Sequence, residues 1–182
     1  MRTIKSIGRE HSMCVQPSFI IGTYDENGIA NFAPITWVSI TWDTDRYLLV
    51  ISMNGSKKTK QNAEANKKLS ANLVSTDMLK MMDGLGSQSG NDVLKNAFPH
   101  DKGFTLNVPT LQESRWVYEC EVTKIVQMND TNTYFCEVKD VTVDESIDVS
   151  KGYDLNALDP VIYSGNYYSV GKFLGKIGDF TE

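Results

Sequence analysis

Residues 16 to 37 read Gln16-Pro17-Ser18-Phe19-Ile20-Ile21-Gly22-Thr23-Tyr24-Asp25-Glu26-Asn27-Gly28-Ile29-Ala30-Asn31-Phe32-Ala33-Pro34-Ile35-Thr36-Trp37. The part up to Tyr24 is rich in β-branched and aromatic side chains, and Asp25-Glu26-Asn27-Gly28 then supplies a hairpin turn. Ile29 to Thr36 returns as the second strand. Pro34 has no N–H to give, which keeps the end of that strand out of a central ladder position. Beyond it Trp37 to Trp42 alternates, Asp43-Thr44-Asp45 turns, and Arg46 to Ser52 forms a further strand. The first third is therefore a meander of short antiparallel strands.

The pattern changes at Asn54-Gly55-Ser56. Lys57 to Lys67 predicts a helix with Ser56 as its N-cap, and Leu69 to Ser75 alternates like a strand. Asp77 to Asp83 and Asn91 to Phe98 predict short helices, separated by a loop from Gly84 to Gly90. In the strand from Trp116 to Val126, Trp116, Tyr118, Cys120 and Val122 share one face and Glu119, Glu121 and Thr123 the other. Asn129 to Asn132 predicts a hairpin turn into the strand Tyr134 to Val143. Asp144 to Asp159 is acidic and irregular, and Val161 to Tyr163 and Tyr167 to Gly171 close the chain. The sum is mainly β with helical insertions, a closed or partly closed antiparallel barrel.

At 182 residues a single domain over 1–182 is expected. The net charge of −5 argues against extended nucleic-acid binding, so any bound anion needs a local cluster. The start holds no apolar run of signal-peptide length and no stretch is long enough for a membrane helix, which predicts a cytoplasmic protein without membrane contact. If Met128 faces Thr133, Cys120 lies opposite Val141 and Cys136 opposite Ile125, too far apart for a disulfide. Two histidines without close Cys or His spacing argue against a metal site.

Ser52-Met53-Asn54-Gly55-Ser56-Lys57-Lys58-Thr59-Lys60-Gln61-Asn62 carries the most informative local signal. A helix N-terminus is already positive, so Lys57, Lys58 and Lys60 in a first turn are unfavourable unless an anion sits there. Free amides, the Ser56 and Thr59 hydroxyls and the lysines together suit a phosphate; lysines pointing to solvent are the alternative. Asn31 to Trp37, with small residues and a proline at a strand end, leaves backbone groups able to read a heteroaromatic edge. A β-bulge at a barrel corner reads the same residues structurally. Among Trp37, Trp42, Trp116, Tyr163, Tyr167 and Tyr168 at least one is expected at a cofactor, the rest in core or interface. His11 and His100, the latter in a predicted loop, have no motif partner, and no hydrolase constellation stands out.

Taken in order, these segments resemble the flavin reductase-like family with its FMN-binding split β-barrel. Asn31, Ala33, Pro34, Thr36 and Trp37 match the family's N-x-A-P signature with its following hydroxyl residue and Trp. Lys57, Lys58, Thr59 and Asn62, with Ser52 upstream, match its K-[DE]-T-x-x-N element, Lys58 replacing the usual acid. Ala71 to Val74, Glu119 to Val122 and Tyr163 to Gly171 resemble later family strands, so the likeness spans about Gln16 to Gly175.

The resemblance implies a homodimer with FMN near the interface. Lys57, Thr59 and Asn62, joined by Ser52 and Lys58, would hold its phosphate. Asn31, Ala33, Pro34, Ile35 and Thr36 would border the ring or ribityl chain largely through backbone atoms, with Trp37 beside them. It implies an oxidoreductase taking hydride from NADH or NADPH and reducing free flavin, ferric iron or a protein partner. Asn129-Asp130-Thr131 lacks the histidine that many NADH-dependent members carry in a G-D-H pattern there, which points to the flavoredoxin-like branch. The alternative is a non-enzymatic flavin-binding electron carrier or sensor.

Overall fold

The computed structural model describes residues 3–9, 13–176 and 179. Its strands are β1 (Gln16–Pro17), β2 (Phe19–Tyr24), β3 (Ala30–Ile35), β4 (Val38–Asp43), β5 (Arg46–Met53), β6 (Lys68–Leu73), β7 (His100–Lys102), β8 (Pro109–Leu111), β9 (Trp116–Met128), β10 (Thr131–Val143), β11 (Val161–Tyr163) and β12 (Tyr167–Ser169). The α-helices are α1 (Lys58–Asn66), α2 (Leu79–Gly86) and α3 (Leu155–Leu158).

Seven strands form one antiparallel sheet in the order β3-β2-β6-β9-β10-β5-β4. That order places β3 and β4 at opposite edges, yet only Thr36 and Trp37 separate them along the chain. The sheet must therefore roll up until its edges meet at this seam; the Ser52 amide donates to the Trp37 carbonyl at 2.9 Å, carrying the β4–β5 pairing into the linker. Pro34 sits on edge strand β3, where its missing N–H costs no ladder bond.

Both faces of β2 are buried. Phe19 and Ile21 point into the barrel with Leu49, Ile51, Leu69 and Tyr134. Ile20 points outward into a second core, formed with Phe32, Met78, Met81, Met82 and Leu85. Alternation along β2 thus clamps α2 against the barrel wall. A smaller sheet, β1-β11-β12, carries the end of the chain back beside this helix.

Several expectations need correction. Lys57, not Ser56, is the N-cap of α1, and no side chain caps it. The segment 91–98 is not helical: between Gly90 and Pro99 it is too short to repay helix nucleation, and its Lys95 is drawn inward. The preceding loop is shorter than read, because α2 runs on to Gly86. His100 lies in strand β7 rather than a loop, its ring edge-on to Phe32 at 5.4 Å; His11 lies outside the described residues. The β9–β10 turn is only Asn129-Asp130, Met128 faces Thr131, and two bulges shift the register. Cys120 therefore faces Val138 and Cys136 faces Val122, and both thiols are free.

Glu119 lies on the face opposite Cys120, as its alternation predicts. It is fully buried and accepts N–H bonds from Phe104, Thr105 and Leu106 at 2.7, 3.0 and 2.6 Å. A Cβ on Gly103 would stand 2.6 Å from that carboxylate, so the loop can close around it only with glycine there. No helix among the described residues is long and apolar enough to cross a membrane.

Candidate functional site

The end of β3, the start of α1 and the end of α2 converge on a cavity of about 360 Å³. Asn31, Ala33 and Pro34 form one wall, Lys57, Lys58 and Thr59 a second, and Leu85 to Gly90 with Lys95 the third. A neighbouring cavity of about 660 Å³ shares Pro34, Gly86 and Ser87 with the first. Thr36, Trp37, Met82, Asp83, Tyr163 and Tyr167 complete its lining. The two together make one groove beside β3 and the Thr36-Trp37 linker, polar at one end and aromatic at the other.

Chemistry at the polar end follows from α1. Its first intrahelical bond runs from the Gln61 amide to the Lys57 carbonyl, so the amides of Lys58, Thr59 and Lys60 belong to the uncapped first turn. No acidic residue stands in that turn. Lys95 is 8% exposed and donates from Nζ to the Leu85 carbonyl. Burial, and next the charge of Lys57, push its ammonium below the ordinary lysine value. Like charges converging on a helix N-terminus favour an anion between them.

Thr59 and Asn31 brace this end. Asn31 donates from Nδ2 to the Thr59 hydroxyl at 2.9 Å, and both side chains are buried. A Cβ on Gly90 would lie 2.4 Å from Asn31 Oδ1 and 3.2 Å from Lys58 Cβ, so the 87–90 segment reaches the wall only because it ends in glycine.

The aromatic end is framed by Trp37, 47% exposed, and by Tyr163 and Tyr167, whose rings lie 5.9 Å apart. Tyr167 donates from its hydroxyl to Asp83 Oδ1 at 2.6 Å, and that bond raises the phenol to about 12.

The groove thus gathers Asn31, Ala33, Pro34, Thr36, Trp37, Lys57, Lys58 and Thr59 from the residues singled out in the sequence. Three others do not line it. The Ile35 side chain packs in the barrel core, Asn62 is buried and donates to the Thr23 hydroxyl at 3.1 Å, and Ser52 shares a 2.8 Å hydrogen bond with Thr133. Lys95 escaped sequence reasoning, since nothing local marks one lysine in 91–98 as buried. Another cavity of about 660 Å³, between Phe19, Ile40, Tyr47 and Trp116, is apolar; of the residues singled out in the sequence only Trp116 lines it, and none of the phosphate- or ring-binding candidates does. Among the described residues no cluster of His, Cys, Asp and Glu could hold a metal ion.

Solved structures place the fold. Flavoredoxin of Desulfovibrio vulgaris (Miyazaki F) superposes with a TM-score of 0.89 and 25% identity, covering 98% of this chain and 99% of its own. Flavoredoxin from Methanosarcina acetivorans gives 0.89 at 23% identity over 99% and 97%. The FMN-binding protein from Thermus thermophilus gives 0.79 at 21% identity over 97% and 99%. These likenesses agree with the expected antiparallel split β-barrel. With its signature segments meeting along one groove and residues 11–171 matching the flavin reductase like domain, the chain belongs to that family.

Proposed function

We propose that the groove binds FMN and that the chain is an oxidoreductase. It takes hydride from NADH or NADPH and passes the electrons to free flavin, ferric iron or a protein partner. The observation that carries this reading is the convergence of Lys57, Lys58, Lys95 and an uncapped helix N-terminus, in an acidic chain, on a polar cavity opening into an aromatic one.

The residues fit the group. Lys57, Lys58, Lys95, the Thr59 hydroxyl and the first-turn amides of α1 would hold the phosphate. Pro34, Thr36, Trp37, Met82, Tyr163 and Tyr167 would enclose the ring. Backbone groups of the seam would orient its polar edge, and the aromatic side chains would keep water from its faces. FMN itself supplies the hydride and electron chemistry, so the protein's part is binding, orientation and electrostatics.

A second reading is a flavin-binding electron carrier or sensor, in which Tyr163 and Tyr167 would occupy the side from which nicotinamide has to approach. The names of the two flavoredoxin structures accord with it. For either reading a homodimer is proposed, supported by Ile40, Trp42 and Tyr47 of the β4–β5 hairpin, each more than half exposed. Light scattering would test it.

The deciding experiment is the visible spectrum of the protein titrated with FMN, before and after anaerobic NADH and NADPH. Bleaching by one nucleotide establishes the reductase and its donor. Bleaching by dithionite alone establishes the carrier. Absence of bound FMN overturns both.

A further inference from the structure

The hydrogen bond between Tyr167 and Asp83 joins two parts of the fold that share no strand pairing. Tyr167 begins β12, which lies at the edge of the small sheet with only β11 beside it. The Tyr167 register partner is Tyr163, across the turn at 164–166. Asp83 lies on α2, the helix whose end also lines the polar cavity through Leu85 and Gly86. Both partners line the aromatic cavity, and both are solvent-exposed. The 2.6 Å bond therefore ties the hairpin tip to α2 across the rim of the ring end.

We propose that Asp83 is a positioning residue. By holding the Tyr167 ring across the opening, it sets how slowly a flavin leaves the groove. The clasp slows exchange of the bound flavin, and breaking it loosens the wall without disturbing the barrel. This rests on the reading of the groove as a flavin site. Both partners being exposed, the bond is easily opened, as a gate over a bound ligand requires.

The test is the rate of flavin release by stopped flow, with FMN and with riboflavin, in Tyr167→Phe, Asp83→Ala, Asp83→Asn and the double variant Asp83→Ala/Tyr167→Phe. Tyr167→Phe and Asp83→Ala should each speed release of both flavins roughly fivefold, the double variant no more than either, because the two form one interaction. Asp83→Asn keeps an acceptor oxygen and should restore slow release. Unfolding midpoints of the flavin-free variants should match the parent, separating positioning from stability. If the parent binds neither flavin, the reading of the groove and the clasp fall together. If it binds flavin and the single variants release it at the parent rate, the clasp alone is overturned.

Discussion

Asn31, near the start of the returning strand of the first hairpin, and Thr59, at the start of α1, are joined by a buried 2.9 Å hydrogen bond across 28 positions of sequence. The two segments that carry the family signatures are thus one piece of structure. Thr59→Val removes the hydroxyl at nearly constant volume and leaves Asn31 Nδ2 without its acceptor. A stability loss of about 1–2 kcal/mol is expected, read by urea denaturation of the flavin-free protein.

Lysines at the polar end are separable from that brace. Lys57→Ala and Lys95→Met should each weaken FMN binding by roughly tenfold, as loss of a charge-assisted contact implies. Riboflavin, which lacks the phosphate, should bind as before. Equal loss for both flavins would mean that the phosphate does not lie among these lysines.

Lys95 also gives the site a pH dependence. Burial, then Lys57, lowers its pKa, so it loses its proton at a lower pH than an ordinary lysine. Between the lowered folded value and the ordinary one the unfolded chain binds more protons, and stability of the flavin-free protein rises with pH in that window. FMN affinity should move the opposite way, falling as the charge is lost. Titrations of FMN from neutral to alkaline pH should show the fall in the parent and a weaker one in Lys95→Met.

Glu119 anchors the 103–107 loop through three amides. Glu119→Gln turns an N–H₂ toward some of those donors, and a loss on the order of 2–3 kcal/mol is expected. Hydrogen exchange should show the amides of 104–106 losing protection while FMN affinity holds, since none of these residues lines the groove.

Thiol chemistry should divide the cysteines. Burial raises Cys120 well above its ordinary value and Cys136 to about 12, whereas Cys14 is exposed. A disulfide reagent should titrate one thiol in the native protein and all three after denaturation. Rapid reaction of a second thiol in the native state would show that the barrel interior opens.

Much of this architecture is legible in the residues. Asp25 to Gly28 marks the first hairpin, Pro34 marks an edge, and of the three lysines at a helix start Lys57 and Lys58 line the polar end of the groove, while Lys60 turns to the Asp130 carbonyl. Other features need the fold. A two-residue difference in turn length and two bulges reset the β9–β10 register, and a bulge leaves no mark in local hydrophobicity. Alternation puts Glu119 on the face opposite Cys120, but that face is covered by a loop fifteen residues upstream. Lys95 turns inward because α2 offers it a carbonyl, a contact that no local pattern encodes.

The seam at Thr36-Trp37 has a metric consequence. From Ile35 to Val38 the chain takes three Cα steps, a reach of at most about 11 Å. Neighbouring strands stand about 4.8 Å apart, so the unpaired sheet edges are held within little more than two strand spacings. The closure of the sheet and the placing of Thr36 and Trp37 in the groove are set by the same short tether. Lengthening it by even one residue would slacken both at once.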